Sequence, residues 1–189
     1  TPQRAWWDLT FYDLKVKVNL DDKSITGSNT IHYKVLTPNN LLQIDLQPPL
    51  RMERVEQDGK LLELRQAGKN AYFVVIQKEQ PVGSKQSITV WYSGRPREAI
   101  HAPWDGGFSW SKDEKGQPFV ATSCQGLGAS VWWPCKDHMY DEPDSQAIAI
   151  TVPKGLMDVS NGRLRRTVAN DDGTTTYEWF VSSPINNYG

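Results

Sequence analysis

Most of the side chains in this sequence that could perform chemistry lie within residues 123–145. The stretch reads SCQGLGASVWWPCKDHMYDEPDS and holds both cysteines of the chain and one of its three histidines. Cys124, Cys135, His138 and His101 are residue types that bind zinc. Only Cys135 and His138 are closely spaced, whereas structural zinc sites pair their ligands tightly on both sides. The spacing therefore favours two buried thiols, or one disulfide, over a metal site.

Other catalytic chemistries find little support in the same stretch. A cysteine beside a histidine could act as a nucleophile, but no local signature accompanies either cysteine. The sequence has no G-x-S-x-G, no phosphate-binding glycine loop and no H-E-x-x-H. Four acids could hold calcium or act as paired carboxylates: Asp137, Asp141, Glu142 and Asp144. Pro143 interrupts this run, which lacks the spacing of a calcium loop, so a solvated loop is favoured.

Six of the eight tryptophans lie in pairs along the chain: Trp6 and Trp7, Trp104 and Trp110, Trp132 and Trp133. If they are exposed, such rings suit stacking on sugars; if buried, they fill a β core or an interface with another domain. Burial is the commoner case. Two alternatives stay open at this point, a carbohydrate-binding β-sandwich that uses Trp104, Trp110, Trp132 or Trp133, and an adhesion-type module without a small ligand.

Composition excludes several classes of function. The 189 residues carry 21 basic and 22 acidic side chains, for a net charge of −1, which gives no sign of a nucleic acid or anionic membrane partner. No apolar run approaches the ~20 residues of a membrane span. A chain of this size buries enough core to need no disulfide. It starts TPQRAWWDLT, without methionine, and we expect a processed or excised product, exported to the periplasm or secreted rather than cytoplasmic.

Alternation with a period of two residues dominates the sequence and predicts an all-β domain. In YDLKVKVNL, for example, one face carries apolar side chains and the other carries Lys15 and Lys17. The turn signals between such runs include Asp58-Gly59 and Asn161-Gly162. We expect a single domain over 1–189, a curved β-sandwich of about ten short, mostly antiparallel strands. Residues 95–146, rich in Trp, Gly and Pro, are expected to form a long irregular segment.

The strand pattern resembles the opening of the gluzincin aminopeptidases, the family of aminopeptidase N and leukotriene hydrolase. Their first domain begins with a Y-D-L strand, an x-G-x-x-x-I strand and an L-x-I-x-x-V-x-x-x-G segment. The matching positions here are Tyr12-Asp13-Leu14, Gly27, Ile31 and residues 50–59. The final SSPINNYG resembles the junction between that first domain and the peptidase domain. The resemblance covers nearly the whole chain.

A second motif of the family, P-C-x-D-x-P, is similar to the segment that starts at Pro134-Cys135-Lys136-Asp137. Three additional residues, His-Met-Tyr, follow here before Asp141-Glu142-Pro143. The insertion leaves open whether Asp137 or Asp141 corresponds to the aspartate of the family. Gln146 stands where the family often has lysine.

The resemblance implies a non-catalytic role for this chain. The zinc ligands and the catalytic glutamate of the family lie in the following domain, and their motif is missing from this sequence. The expected fold is a saddle-like β domain that packs on its own peptidase domain and closes one wall of the active site. No cofactor is expected in this chain, zinc is expected in the catalytic domain, and the chain alone is expected to be inactive.

The resemblance also implies one substrate-binding residue. In this family, a glutamine or glutamate on a loop before P-C-x-D binds the free α-amino group of the peptide substrate. The matching residue is Gln125, in Cys124-Gln125-Gly126. An amide oxygen can accept a hydrogen bond from an ammonium group, and glycines at 126 and 128 let the backbone approach a ligand closely. We therefore expect substrate binding by Gln125, Gly126 and Gly128.

Overall fold

Thirteen strands and one short helix form the fold of residues 1–188, the part of the chain that this computed structural model describes. Gly189, the last residue of the domain expected over 1–189, lies outside it. The chain begins with α1 (Pro2–Ala5), β1 (Trp7–Asn19), β2 (Ser24–Val35), β3 (Leu41–Asp45), β4 (Arg51–Gln57), β5 (Lys60–Leu61), β6 (Glu63–Ala67) and β7 (Ala71–Val75). It continues with β8 (Lys85–Gly94), β9 (Gly107–Lys112), β10 (Pro118–Ser123), β11 (Ser145–Pro153), β12 (Arg163–Ala169) and β13 (Thr174–Val181).

Eight strands form the largest sheet, in the order β12-β13-β11-β1-β2-β8-β4-β5. Strands β1 and β11 pair in parallel, and the other pairs in this sheet are antiparallel. A second sheet has the order β3-β7-β6, and β9 and β10 form a separate hairpin. The expected all-β class with mostly antiparallel strands is confirmed.

The alternating patterns in the two central strands were interpreted correctly. In β1, Tyr12, Leu14 and Val16 are buried, while Lys15 and Lys17 are exposed. Strand β2 repeats this arrangement, and the buried side chains of both strands join one core with those of the three-stranded sheet. Burial of apolar surface drives the sheets together, so the period-two pattern fixes which face each strand turns inward.

The first turn of the chain is anchored in this core by two adjacent indoles. Trp6 and Trp7 are 2% and 1% exposed, and both rings meet Tyr33 edge to face, at centroid distances of 5.9 and 5.6 Å. The Trp6 indole nitrogen donates to the Leu41 carbonyl at 2.7 Å. These two tryptophans are therefore core residues, and they join β1 to the start of the three-stranded sheet.

The structure adds two details to the expected strands. After the turn at Asp58-Gly59 the chain forms two short strands, separated at Leu62, because β5 pairs with β4 while β6 pairs with β7 in the other sheet. Residues 95–146 are not irregular throughout, since they contain the β9–β10 hairpin. In β9 only Phe108 and Trp110 give an alternating apolar pattern. The strand is six residues long, and its glycine and serines weaken that pattern. With these strands the total is thirteen rather than about ten.

At Gly27, strand β2 lies too close to its neighbouring strands for a side chain to fit. A Cβ atom there would overlap the Lys15 carbonyl oxygen and lie 2.9 Å from the Tyr92 ring. We expect Gly27→Ala to lower the free energy of unfolding by about 1–3 kcal/mol, because the strands must shift apart. Thr26→Ala, an exposed neighbour on the same strand, should change it by less than about 0.5 kcal/mol. Equal urea midpoints for the two variants would contradict this close packing.

Candidate functional site

The loop that carries Gln125, residues 124–128, turns sharply between β10 and a short 3-10 turn (Ala129–Val131). The backbone N–H groups of Leu127 and Gly128 both donate to the Cys124 carbonyl, at 3.1 and 2.9 Å. Gly126 and Gly128 have φ angles of 72° and 80°, in the left-handed region that favours glycine. We call residues 124–128 the glutamine loop.

Gln47, just beyond the end of β3, holds the far side of the glutamine loop. Its side-chain amide nitrogen donates to the Leu127 carbonyl at 2.7 Å and to the Ser130 hydroxyl at 3.0 Å. Its backbone N–H donates to the Ser130 carbonyl at 2.8 Å. Three hydrogen bonds from one residue therefore fix the glutamine loop, at Leu127, and the turn that follows it, at Ser130, to the end of the three-stranded sheet.

Asp45, the last residue of β3, connects the small sheet to the Pro-Cys-Lys-Asp motif. Its backbone pairs with Cys135 in an antiparallel bridge, with N–H···O distances of 2.8 and 3.1 Å. Its buried carboxylate accepts hydrogen bonds from the Arg4 guanidinium at 2.6 Å and from the Gln43 amide at 2.9 Å. The backbone N–H of Asp137 donates to it at 3.2 Å. The charge of Asp45 is thus both paired and hydrogen-bonded, as burial requires.

The two candidate aspartates of the motif have different partners. Asp137 accepts hydrogen bonds from the Ser130 hydroxyl and from the side-chain amide of Asn187. Burial raises the pKa of the Asp137 carboxyl above its usual value. Asp141 instead forms an ion pair with Lys136. Asp137 therefore lies against the glutamine loop, and Asp141 does not.

Lys136 is 5% exposed and belongs to the support of the site. Its ammonium donates to the Trp7 carbonyl at 2.6 Å and lies 4.0 Å from the centroid of the Trp7 ring, besides pairing with Asp141. Burial lowers the pKa of this lysine from its usual value. The paired carboxylate and the aromatic face offset the cost of placing the charge inside the protein.

The C-terminal segment, residues 182–188, returns to the glutamine loop. The Tyr188 hydroxyl donates to the side-chain oxygen of Gln125, and Asn187 donates to Asp137. Gln125 itself is half-buried, and Gly126 is exposed. Sequence analysis missed Gln47, Asn187 and Tyr188 as partners of this loop. The resemblance of SSPINNYG to a domain junction drew attention to this segment. It did not indicate that the segment contacts the glutamine loop.

The tryptophans that the carbohydrate-binding alternative would use do not form a flat, exposed platform. Of Trp104, Trp110, Trp132 and Trp133, only Trp104 is exposed, at 77%, while Trp133 is 8% exposed. Trp110 is half-buried and stacks on Phe108 at a centroid distance of 5.2 Å. The planes of Trp132 and Trp133 are inclined by 67°. This arrangement does not favour the carbohydrate-binding alternative, which needs exposed, coplanar rings.

The zinc-ligand candidates do not assemble. Within residues 1–188, no three or more His, Cys, Asp or Glu side chains are grouped to hold a metal ion. Cys124 and Cys135 are both free thiols. Burial raises the pKa of Cys124 to about 11 and raises that of Cys135 as well, so neither is an activated nucleophile.

No helix of the described part of the chain is long and apolar enough to cross a membrane.

A partly open apolar cavity of about 1160 Å³ lies next to the glutamine loop. Its floor is the inner face of β1 and β11, and its walls include the β9–β10 hairpin and the C-terminal segment. Several large apolar side chains at its edge are exposed: Phe119 57%, Met157 77%, Val159 80%, Ile185 65% and Tyr188 54%. Exposed apolar side chains concentrated at one opening are typical of a surface that contacts another protein or domain.

Solved structures with the same fold were found by comparison. An M1 zinc metallopeptidase from Deinococcus radiodurans superposes with a TM-score of 0.75 and 19% sequence identity, over 98% of this chain and 41% of its own. Leukotriene A4 hydrolase from Saccharomyces cerevisiae gives a TM-score of 0.70 and 16% identity, over 96% of this chain and 28% of its own. At these identities the likeness shows the fold. The chain spans about two fifths of the length of the Deinococcus enzyme.

Sequence comparison gives the family directly. No curated protein matches the chain significantly. The family model described as the peptidase M1 N-terminal domain, however, matches residues 9–188, which is nearly the whole chain. The strand motifs, the Pro-Cys-Lys-Asp segment and all strands from β2 to β13 lie within that match. This chain therefore belongs to the family of peptidase M1 N-terminal domains.

Proposed function

We propose that this chain is the amino-terminal domain, residues 1–189, of a longer zinc aminopeptidase, in which Gln125 binds the free amino terminus of the peptide substrate. The observation that carries the proposal is the contact between Gln125 and Tyr188. It brings the glutamine loop to the end of the family match, at residue 188, where a following domain would begin. A residue at that junction is well placed to reach a cleft between two domains.

The chemistry of Gln125 suits an ammonium ligand. Its amide oxygen has two acceptor sites, and the Tyr188 hydroxyl uses one of them. The second can accept a hydrogen bond from an α-ammonium group. Gly126 beside it is exposed, and a Cβ atom at this position would meet no other atom within 4 Å. The loop therefore has open space at Gly126, the residue that follows the glutamine.

Structures of relatives agree with a ligand that carries a free amine. A variant of the Deinococcus radiodurans enzyme was solved with a Tyr-Ser-Ala substrate, and a two-domain M1 zinc metallopeptidase variant was solved with L-arginine. Both compounds have an α-amino group. A peptide with a free amino terminus is the corresponding substrate class for the parent of this chain.

The partner of this domain is its own peptidase domain. The exposed apolar side chains around the 1160 Å³ cavity, Phe119 and Ile185 among them, give it a surface to cover. The zinc ion of the enzyme would be bound by that domain, where it would act as Lewis acid and activate water. This chain would supply the wall of the cleft and one hydrogen-bond acceptor, and it would contribute no zinc ligand.

The chain alone should not hydrolyse aminoacyl-anilides, because within residues 1–188 no three His, Cys, Asp or Glu side chains are grouped to hold the zinc ion that would act as Lewis acid. It should also bind less than one equivalent of zinc after dialysis. Activity assays and elemental analysis of the purified chain test both statements. Stoichiometric zinc that disappears in Cys135→Ser would show that the cysteines form a metal site after all.

Gln125→Ala should impair the full-length enzyme selectively. A hydrogen bond to a charged group contributes about 1.5–3 kcal/mol, so kcat/KM for substrates with a free amino terminus should fall roughly 10- to 150-fold. Esters or amides that lack the amine should be cleaved at nearly the normal rate. Gln125→Glu should retain most of the activity, because a carboxylate still accepts the bond.

The matched control is Gln117→Ala, at an exposed glutamine in the turn of the β9–β10 hairpin. It should leave kcat/KM unchanged for both substrate classes. If Gln125→Ala behaves like Gln117→Ala, Gln125 is only a polar loop residue and the proposed role is wrong.

A further inference from the structure

We propose that Asp137 is a positioning residue that holds Gln125 in place by fastening the glutamine loop to the C-terminal segment. The inference rests on the proposed role of Gln125. In this inference Asp137 does not contact the substrate and acts through its hydrogen bonds to Ser130 and Asn187.

Each carboxylate oxygen of Asp137 holds a different part of the chain. One accepts from the Ser130 hydroxyl, and the Ser130 backbone N–H lies 3.4 Å from it. The other accepts from the side-chain amide of Asn187. Ser130 belongs to the turn that follows the glutamine loop, whereas Asn187 belongs to the C-terminal segment. A single carboxylate therefore joins two segments that are far apart in sequence.

Gly128, at the end of the glutamine loop, packs directly on this carboxylate. A Cβ atom at position 128 would overlap the carboxylate of Asp137, and the φ angle of 80° disfavours a side chain independently. The sequence thus provides a glycine where the loop must pass over the carboxylate. This close approach fixes the loop relative to Asp137 without any side chain from the loop.

The contacts close into a ring that ends on Gln125. Asn187 is followed by Tyr188, whose hydroxyl donates to the Gln125 side-chain oxygen. The path therefore runs from Gln125 along its loop to Asp137, through Asn187 to Tyr188 and back to Gln125. A side chain held from both ends has little rotamer freedom left to lose when a ligand binds, which is the condition for preorganised recognition.

Asp137 can serve as the fixed point because its own backbone is anchored. Its N–H donates to the Asp45 carboxylate at 3.2 Å, and the preceding Cys135 forms the backbone bridge with Asp45. Asp141, the other acid of the motif, pairs with Lys136 and has no contact of this kind. Asp137, rather than Asp141, is thus the acid that links core and loop.

The first test uses this chain and nuclear magnetic resonance relaxation. In Asp137→Ala, Ser130 and Asn187 both lose the acceptor that joins them. The order parameter of the Gln125 side-chain amide should fall towards that of the exposed Gln117. The exchanged pair Asp137→Asn with Asn187→Asp can donate and accept in the reverse direction, and it should retain the order. An unchanged Gln125 amide in Asp137→Ala would overturn the proposal.

If Asp137→Ala fails to fold, Asn187→Ala gives the same answer, because it leaves the buried carboxylate and Ser130 in place. It should mobilise the Gln125 amide while leaving the thermal midpoint within a few degrees of the parent chain. An ordered Gln125 amide in a folded Asn187→Ala variant would overturn the proposal as well.

The second test uses the full-length enzyme and separates this inference from the proposed function. Asp137→Ala should lower kcat/KM for free-amino substrates roughly 10- to 100-fold, as a misplaced binding group does, and the exchanged pair should retain most of the activity. Equal losses for substrates without the amine would reveal a merely structural role and overturn the inference. If Gln125→Ala has no effect on activity, the proposed function fails, while the relaxation experiment still decides whether Asp137 orders Gln125.

Discussion

The fold of this domain depends on how three consecutive residues, Pro134, Cys135 and Lys136, are bound to three different strands. The Pro134 carbonyl accepts from Asn29 of β2 at 2.9 Å, Cys135 pairs with Asp45 of β3, and the Lys136 N–H donates to the Tyr12 hydroxyl of β1 at 2.9 Å. Buried backbone groups must find partners. Because these partners come from both sheets, residues 134–136 cannot shift without leaving several buried polar groups without hydrogen-bond partners.

This constraint explains how the glutamine loop can be held in one conformation in a domain made mostly of strands. The glutamine loop has no regular structure of its own, but Gln47 holds one side and Asp137 the other, and both are tied to Asp45 or its immediate neighbours. Loops that bind ligands gain accuracy from a rigid scaffold beneath them. In this domain the scaffold is the junction between the large sheet and the three-stranded sheet.

The sequence alone predicted the strands that have a long alternating pattern. It missed the features that depend on contacts between residues far apart in the sequence. Alternation over β1 and β2 is long enough to fix the strands and their buried faces, whereas β5 and β9 are too short or too diluted for the same inference. Gln125 was predicted as a substrate-binding residue through a resemblance to a motif, and this role stays a prediction. Its partner Tyr188 lies 63 residues away, and no local pattern reports a contact over that separation.

The central claim is that Gln125 meets the amino end of the substrate, and the most direct measurement is one interatomic distance. A crystal structure of the full-length protein with a bound dipeptide would give the separation between the Gln125 side-chain oxygen and the α-amino nitrogen. A hydrogen bond predicts about 2.7–3.2 Å. A separation above roughly 4 Å, with no bridging water, would contradict the account.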